Sequence, residues 1–152
     1  MGILQRIRGG ASPETRLLEE LAEIAGRHRG LAVRLARHGA RCAYPNIARG
    51  LGELSARASE QARALEALLR ERNIWPRLPE DPAADGASNW QRVSGDLALL
   101  LELARAMNRQ ALQWESIDAA LAQRLRDVAL ADNRDMSELR ELALKCDPQA
   151  LD

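Results

Sequence analysis

Phenylalanine is missing from this chain, tyrosine occurs once and cysteine twice in 152 residues. The two cysteines, Cys42 and Cys146, are too far apart for a Cys-x-x-Cys zinc or redox motif, and they read as free thiols of a reducing compartment. No segment approaches the roughly 18 continuous apolar residues of a membrane span, and the opening MGILQRIRGG has too short an apolar stretch for a secretory leader. Arg6 stands where a myristoylation signal needs Ser or Thr, so no lipid anchor is expected. An excess of charge is also lacking: 22 basic residues face 22 acidic ones, which leaves no overall field to draw nucleic acid or an anionic membrane surface. A cytoplasmic protein without nucleic-acid or membrane partners is the expectation. Gly-rich phosphate loops and nucleophile–base motifs are absent as well, which removes the easily recognised enzyme classes.

What fills the chain instead is Ala, Leu, Arg and Glu, the strong helix formers, with few β-branched residues. The length suits one domain with a continuous core. Ser12-Pro13-Glu14 combines an N-cap, a first-turn proline and an acid at the positive helix end. From there Leu17, Leu21, Ile24, His28, Leu31, Leu35, His38 and Cys42 recur at steps of three or four, one buried helical stripe. A second stripe runs from Ile47 through Leu51, Leu54, Ala58, Gln61 or Ala62, and Leu65 to Leu68. The third follows Ser88 through Trp90, Val93, Leu97, Leu100, Ala104, Met107, Ala111 and Trp114. The fourth takes Leu121, Leu125, Val128, Asp132, Asp135, Leu139, Leu142 and Cys146, before Asp147-Pro148 stops it. The expected fold is all-α: an N-terminal segment over 1–12, a four-helix bundle over 13–146 with helices near 13–42, 45–73, 89–116 and 118–146, and a tail over 147–152.

Residues 74–88, IWPRLPEDPAADGAS, hold three prolines in 15 residues, longer than the roughly 2–8 residues that join neighbouring antiparallel helices. A helix of about 27 residues is about 40 Å long, and an extended linker of this length reaches about 50 Å. The spacing therefore predicts a crossover from one end of the bundle to the other, joining two helical hairpins; a disordered linker is the alternative. In the crossover arrangement the thiols that end the first and fourth helices lie together.

Two hairpins joined by one long connection resemble the ferritin-like superfamily, with the rubrerythrin-like small bundles nearest, over residues 13–146. The resemblance implies inward ligands at mid-bundle: a Glu from each of two helices and a Glu-x-x-His pair from each of the other two. This chain departs from that set. Both histidines fall in the first helix; Glu60 with Arg63 puts a permanent cation where imidazole belongs; and in the third helix Leu97, Leu100 and Ala104 are the inner positions, with Asp96 and Glu102 assigned to other faces. The family's di-iron centre and oxidase activity are accordingly not carried over.

The polar residues on the inward stripes are His28, Gln61, Asp132 and Asp135, and Asp132 and Asp135 have the i, i+3 spacing of one helix face. A buried carboxylate without a partner costs several kcal/mol, so His28, an arginine, water or a metal must accompany them. Two readings stay open. His28, Asp132 and Asp135, with Gln61 as neighbour, form a remnant site for iron or another divalent metal; or the histidine is a packing residue and Asp135-Met136-Ser137-Glu138 caps a restarted helix. The run Arg27, Arg29, Arg34, Arg37 and Arg41 follows acids nearer the helix start and complements its dipole, with no aromatic residues interleaved to stack bases. Ile3, Leu4 and Ile7 before Gly9-Gly10 offer a docking peptide or a frayed end, and Trp75 either covers the core or anchors a partner. The function expected from these features is that of a non-catalytic binding or assembly protein, without a cofactor, forming a homo-oligomer or meeting an unidentified protein partner. A metal-binding or oxygen-dependent enzyme is the alternative.

Overall fold

A computed structural model describes residues 10–77 and 88–147. Helices α1 (Pro13–Arg41), α2 (Pro45–Arg70), α3 (Asn89–Trp114) and α4 (Ala119–Cys146) account for nearly all of these residues, and no strand occurs among them. Of the expected N-terminal segment (1–12), crossover (74–88) and tail (147–152), residues 1–9, 78–87 and 148–152 lie outside the described residues.

The helix ends follow from local chemistry. Ser12 Oγ accepts the Thr15 amide at 3.2 Å ahead of Pro13, and Ser88 with Gln91 forms a reciprocal capping box at the start of α3. Asp118 Oδ1 accepts the Leu121 amide at 3.0 Å to begin α4, and that bond is the main reason its carboxyl lies below the ordinary range. Helix α2 stops at Arg70, short of residue 73, because Asn73 turns left-handed at φ 56° and lets the Ile74 amide reach back to the Leu69 carbonyl at 2.9 Å. Helix α4 runs unbroken through Asp132 and Asp135, both of which are buried, so these aspartates are not the caps of a restarted helix.

Helix α1 packs against α2 and α3, and α4 against α3 and α2, which leaves α1–α4 and α2–α3 as the diagonals. Gln110 near the end of α3 bonds the Leu17 carbonyl near the start of α1, while Asp96 near the start of α3 meets Arg34 and His38 late in α1, so these two helices are antiparallel. Helices α2 and α4 are antiparallel by the same reasoning: Arg57 reaches Asp135, Glu71 reaches Arg124, and Arg72 reaches Asp118. The core between them is leucine at most large positions, interspersed with buried alanines such as Ala25, Ala58, Ala62, Ala122 and Ala129. With no phenylalanine to accommodate, small side chains let the helices approach closely. No helix among the described residues is long and apolar enough to cross a membrane.

The third helix buries most of the expected stripe, Val93, Leu100, Ala104, Met107, Ala111 and Trp114, and departs from it at three positions. Trp90 is 43% exposed and Leu97 only half-buried, whereas Asp96, assigned above to another face, is completely buried. Leu103, Ala106 and Gln110 are buried as well, and Val93, Asp96, Leu100, Leu103, Met107, Gln110 and Trp114 follow one another at alternating steps of three and four residues. Trp75, for its part, does not cover the core; it is 73% exposed, with the Arg70 guanidinium over its ring at 5.9 Å.

After α2 the chain turns back along α1. The Arg77 amide donates to the Ala22 carbonyl at 3.3 Å, and its guanidinium meets Glu23 at 2.7 Å. Gly26 makes this approach possible, since a Cβ there would sit 1.8 Å from the Arg77 carbonyl oxygen. In a helix interior Ala is favoured over Gly by about 1 kcal/mol. Gly52→Ala, in α2 with open space around it, is therefore expected to raise the urea unfolding midpoint, with a gain of about 0.5–1 kcal/mol. Gly26→Ala is expected to lower it, and an increase equal to that of Gly52→Ala would show that residues 74–77 do not rest on α1.

Candidate functional site

Among the described residues seven polar or charged ones are buried: His28, His38, Gln61, Asp96, Gln110, Asp132 and Asp135. The four residues expected at mid-bundle, His28, Gln61, Asp132 and Asp135, are all among them. They do not form one cluster of ligands but two adjoining sets.

The first set spans a diagonal of the bundle. His28 on α1 places Nε2 at 3.0 and 3.2 Å from the two carboxylate oxygens of Asp132 on α4, with both side chains fully buried. Its other ring nitrogen, Nδ1, lies 3.0 Å from the Ile24 carbonyl, one turn back on the same helix. A carbonyl can only accept, so Nδ1 carries a hydrogen. The Nε2–carboxylate contact then requires a second proton between the partners: either an imidazolium donates to a carboxylate, or a carboxylic acid donates to a neutral imidazole. Each form leaves the pair with no net charge, which suits the apolar surroundings. Burial raises the Asp132 carboxyl above its ordinary range and Asp135 adds to the rise, against the opposing effect of the His28 contact.

The second set opens toward the α2–α4 seam. Asp135 receives Arg57 Nε at 2.7 Å on one oxygen and Gln61 Nε2 at 2.9 Å on the other. Arg57 also binds Glu138. Burial works to lower the Arg57 pKa, but its bonds to Asp135 and Glu138 outweigh that and raise it.

A third buried acid escaped the sequence reading. Asp96 on α3 has a histidine and an arginine as neighbours: His38 Nδ1 lies at 2.5 Å from Oδ2 in a hydrogen bond, and Arg34 Nε lies 3.0 Å from Oδ1 as an ion pair that does not meet hydrogen-bond geometry. Gly95 leaves room for this arrangement, because the Arg34 guanidinium passes where a Cβ would come within 3.2 Å. The available signal was the spacing Asp96–Leu103–Gln110, an interrupted heptad in which two of the three positions are polar and which a purely apolar criterion discards.

As a metal site the mid-bundle layer offers one imidazole nitrogen and one carboxylate, His28 and Asp132, oriented by the Ile24 carbonyl in the manner of a metal ligand's supporting bond. Asp135 is turned to the Arg57 guanidinium, a permanent cation that opposes a second positive charge. Among the described residues no three His, Cys, Asp or Glu side chains converge as a ligand set. Nor is an activated nucleophile placed here: Ser55 Oγ is engaged with the Ala32 carbonyl at 2.7 Å, and Cys146 lies at the far end of α4, its thiol pKa raised by burial and by Cys42. What the layer does chemically is hold protons and charges in fixed places between helices.

The proton logic distinguishes two substitutions at one position. In Asp132→Asn the new amide can donate to a neutral His28 Nε2, and stability at neutral pH is expected within about 1 kcal/mol of wild type. Asp132→Ala leaves that nitrogen buried without a partner beside a cavity, with an expected cost of about 2–4 kcal/mol. The raised Asp132 pKa favours the protonated carboxyl in the folded state, so its contribution is present below the unfolded value and lost as pH rises through the folded one. Relative to Asp132→Asn, wild type is therefore expected to lose stability as the pH climbs out of the ordinary carboxylate range, as read from denaturant midpoints at several pH values. A constant difference would contradict this assignment.

No protein-family model matches the chain, and no curated protein matches it significantly.

Proposed function

We propose that the chain is a non-catalytic helical bundle of ferritin-like shape, which acts through its surface as a binding or assembly protein. The observation that carries this reading is the internal neutralisation of the core: each buried carboxylate, Asp96, Asp132 and Asp135, is already matched by a histidine or arginine of the chain. Groups so matched maintain helix register and leave little capacity for substrate chemistry. The antiparallel α1–α3 and α2–α4 pairs support two hairpins joined by a long crossover, as in ferritin-like folds, with residues 78–87 as the connection. The electrostatic influence of Cys42 on Cys146 favours the same connectivity, in which the ends of α1 and α4 meet.

The surface supplies the means of association. Leu112 on α3 and Leu130 on α4 are exposed side by side in a groove of about 430 Å3 along the α3–α4 seam. Self-association across this face, giving a homo-oligomer, is the reading we adopt; an unrelated protein partner would use the same leucines.

A second reading has a specific observation in its favour, the metal-like orientation of the His28 imidazole beside Asp132. Sedimentation velocity over a concentration series, together with elemental mass spectrometry after exposure to ferrous iron, separates the two. The expected result is concentration-dependent association that Leu112→Glu with Leu130→Glu abolishes, and no stoichiometric metal. One equivalent of metal in wild type, lost in both His28→Ala and Asp132→Ala, would replace the assembly reading with the metal-handling one. A monomer at every concentration would remove self-association.

A further inference from the structure

At the opposite end of the bundle from Trp114, the starts of α2 and α3 and the end of α4 enclose a cleft of about 600 Å3, within the size range of small-molecule sites. Its walls include Tyr44, Asn46, Ile47, Trp90, Lys145 and Cys146. The chain has four aromatic residues in all, three Trp and one Tyr, and two of them stand here, Tyr44 at 62% and Trp90 at 43% exposure.

Tyr44 does not serve its helix. Tyr44 holds the N-cap position of α2, where Ser, Thr, Asp or Asn would stabilise the helix, and its side chain makes no capping bond. Pro45 follows it, and no acid occurs in the first turn of either α2 or α3. Tyr44 thus departs from local helix preference at the edge of this concavity, as residues of a binding site do. The charge is equally one-sided. Among the described residues lining the cleft, Lys145 is the single charged one and there is no carboxylate. The uncapped start of α2 adds its partial positive charge to that of the ammonium group.

We propose that this cleft binds a small aromatic carboxylate, its ring against Tyr44 and Trp90 and its anionic group toward Lys145 and the first-turn amides of α2. Flat apolar walls select the ring, and the lone cation selects the acid over a neutral analogue. The cleft is separate from the mid-bundle polar layer and from the α3–α4 leucines, so its occupancy depends neither on metal nor on self-association.

The test uses 2-naphthoate and its uncharged counterpart 2-naphthamide, titrated calorimetrically into the full-length protein. Wild type is expected to bind the acid about ten-fold more tightly than the amide. Lys145→Gln is expected to shrink that preference to about two-fold or less, and Trp90→Ala to weaken both ligands. Bound naphthoate is expected to slow alkylation of Cys146 by iodoacetamide, as read by peptide mass spectrometry, which locates the ligand. Circular dichroism melts confirm that both variants fold, each change being at a partly exposed position. Equal affinity for acid and amide, undiminished binding in both variants, or no binding of naphthoate to wild type would overturn the proposal.

Discussion

A proton held between His28 and Asp132 is the interaction on which the interior of this bundle depends. The two residues lie on helices that share no seam, and their side chains meet across the centre of the bundle. The layers around them are filled by leucine and alanine. The contact converts an apolar core with weak directional preference into one with a defined rotation for α1 and α4, because the carboxyl and the ring nitrogen have to face each other across it.

The same logic repeats at two other levels. Asp135 ties α4 to α2 through Arg57 and Gln61, and Asp96 ties α3 to α1 through His38 and Arg34. Gln110 closes the end near the start of α1, accepting from the Trp114 indole and donating to the Leu17 carbonyl. Each of these buried contacts joins helices that are distant in sequence, whereas the partners α1–α2 and α3–α4 share the most extensive packing and add polar links of their own, Arg29–Glu66 and Ser55–Ala32 in one and Arg126–Glu115 in the other. Extensive side-chain burial thus holds each hairpin together, and buried charge pairing aligns one hairpin on the other.

Much of this was legible in the residues alone. The stripes of α1, α2 and α4 place His28, His38, Gln61, Asp132 and Asp135 inside, because in those helices the polar positions are flanked on the same face by leucines at three- and four-residue steps. In α3 the stripe is right at Val93, Leu100, Ala104, Met107, Ala111 and Trp114 and misses at Trp90, Leu97 and Asp96. There the alanines and leucines are dense enough to support two adjacent stripes, and the one containing an acid was set aside in favour of one containing Trp90 and Leu97. Pairing was beyond sequence altogether: that Asp132 meets His28 while Asp135, one turn on, meets Arg57 depends on the rotation of α4 about its own axis, which periodicity specifies only to within a residue or so. The long segment after α2 was recognised from its prolines, but its contact with α1 depends on Gly26, whose role becomes visible only when Arg77 is seen lying against it.

The distribution of buried charge also determines which of two mirror-related bundles forms. Leucine faces alone would tolerate the second hairpin turned about its long axis, with α4 beside α1 and α3 on the diagonal. In that arrangement α3 would lie diagonal to α1 and α4 diagonal to α2, which carries Asp96 away from His38 and Arg34, and Asp135 away from Arg57 and Gln61. A carboxylate left unpaired in the interior costs about 3–5 kcal/mol, a large part of the roughly 5–15 kcal/mol by which a domain of this kind outlasts unfolding. These two acids therefore act as a key, cut so that one handedness of assembly turns and the other jams.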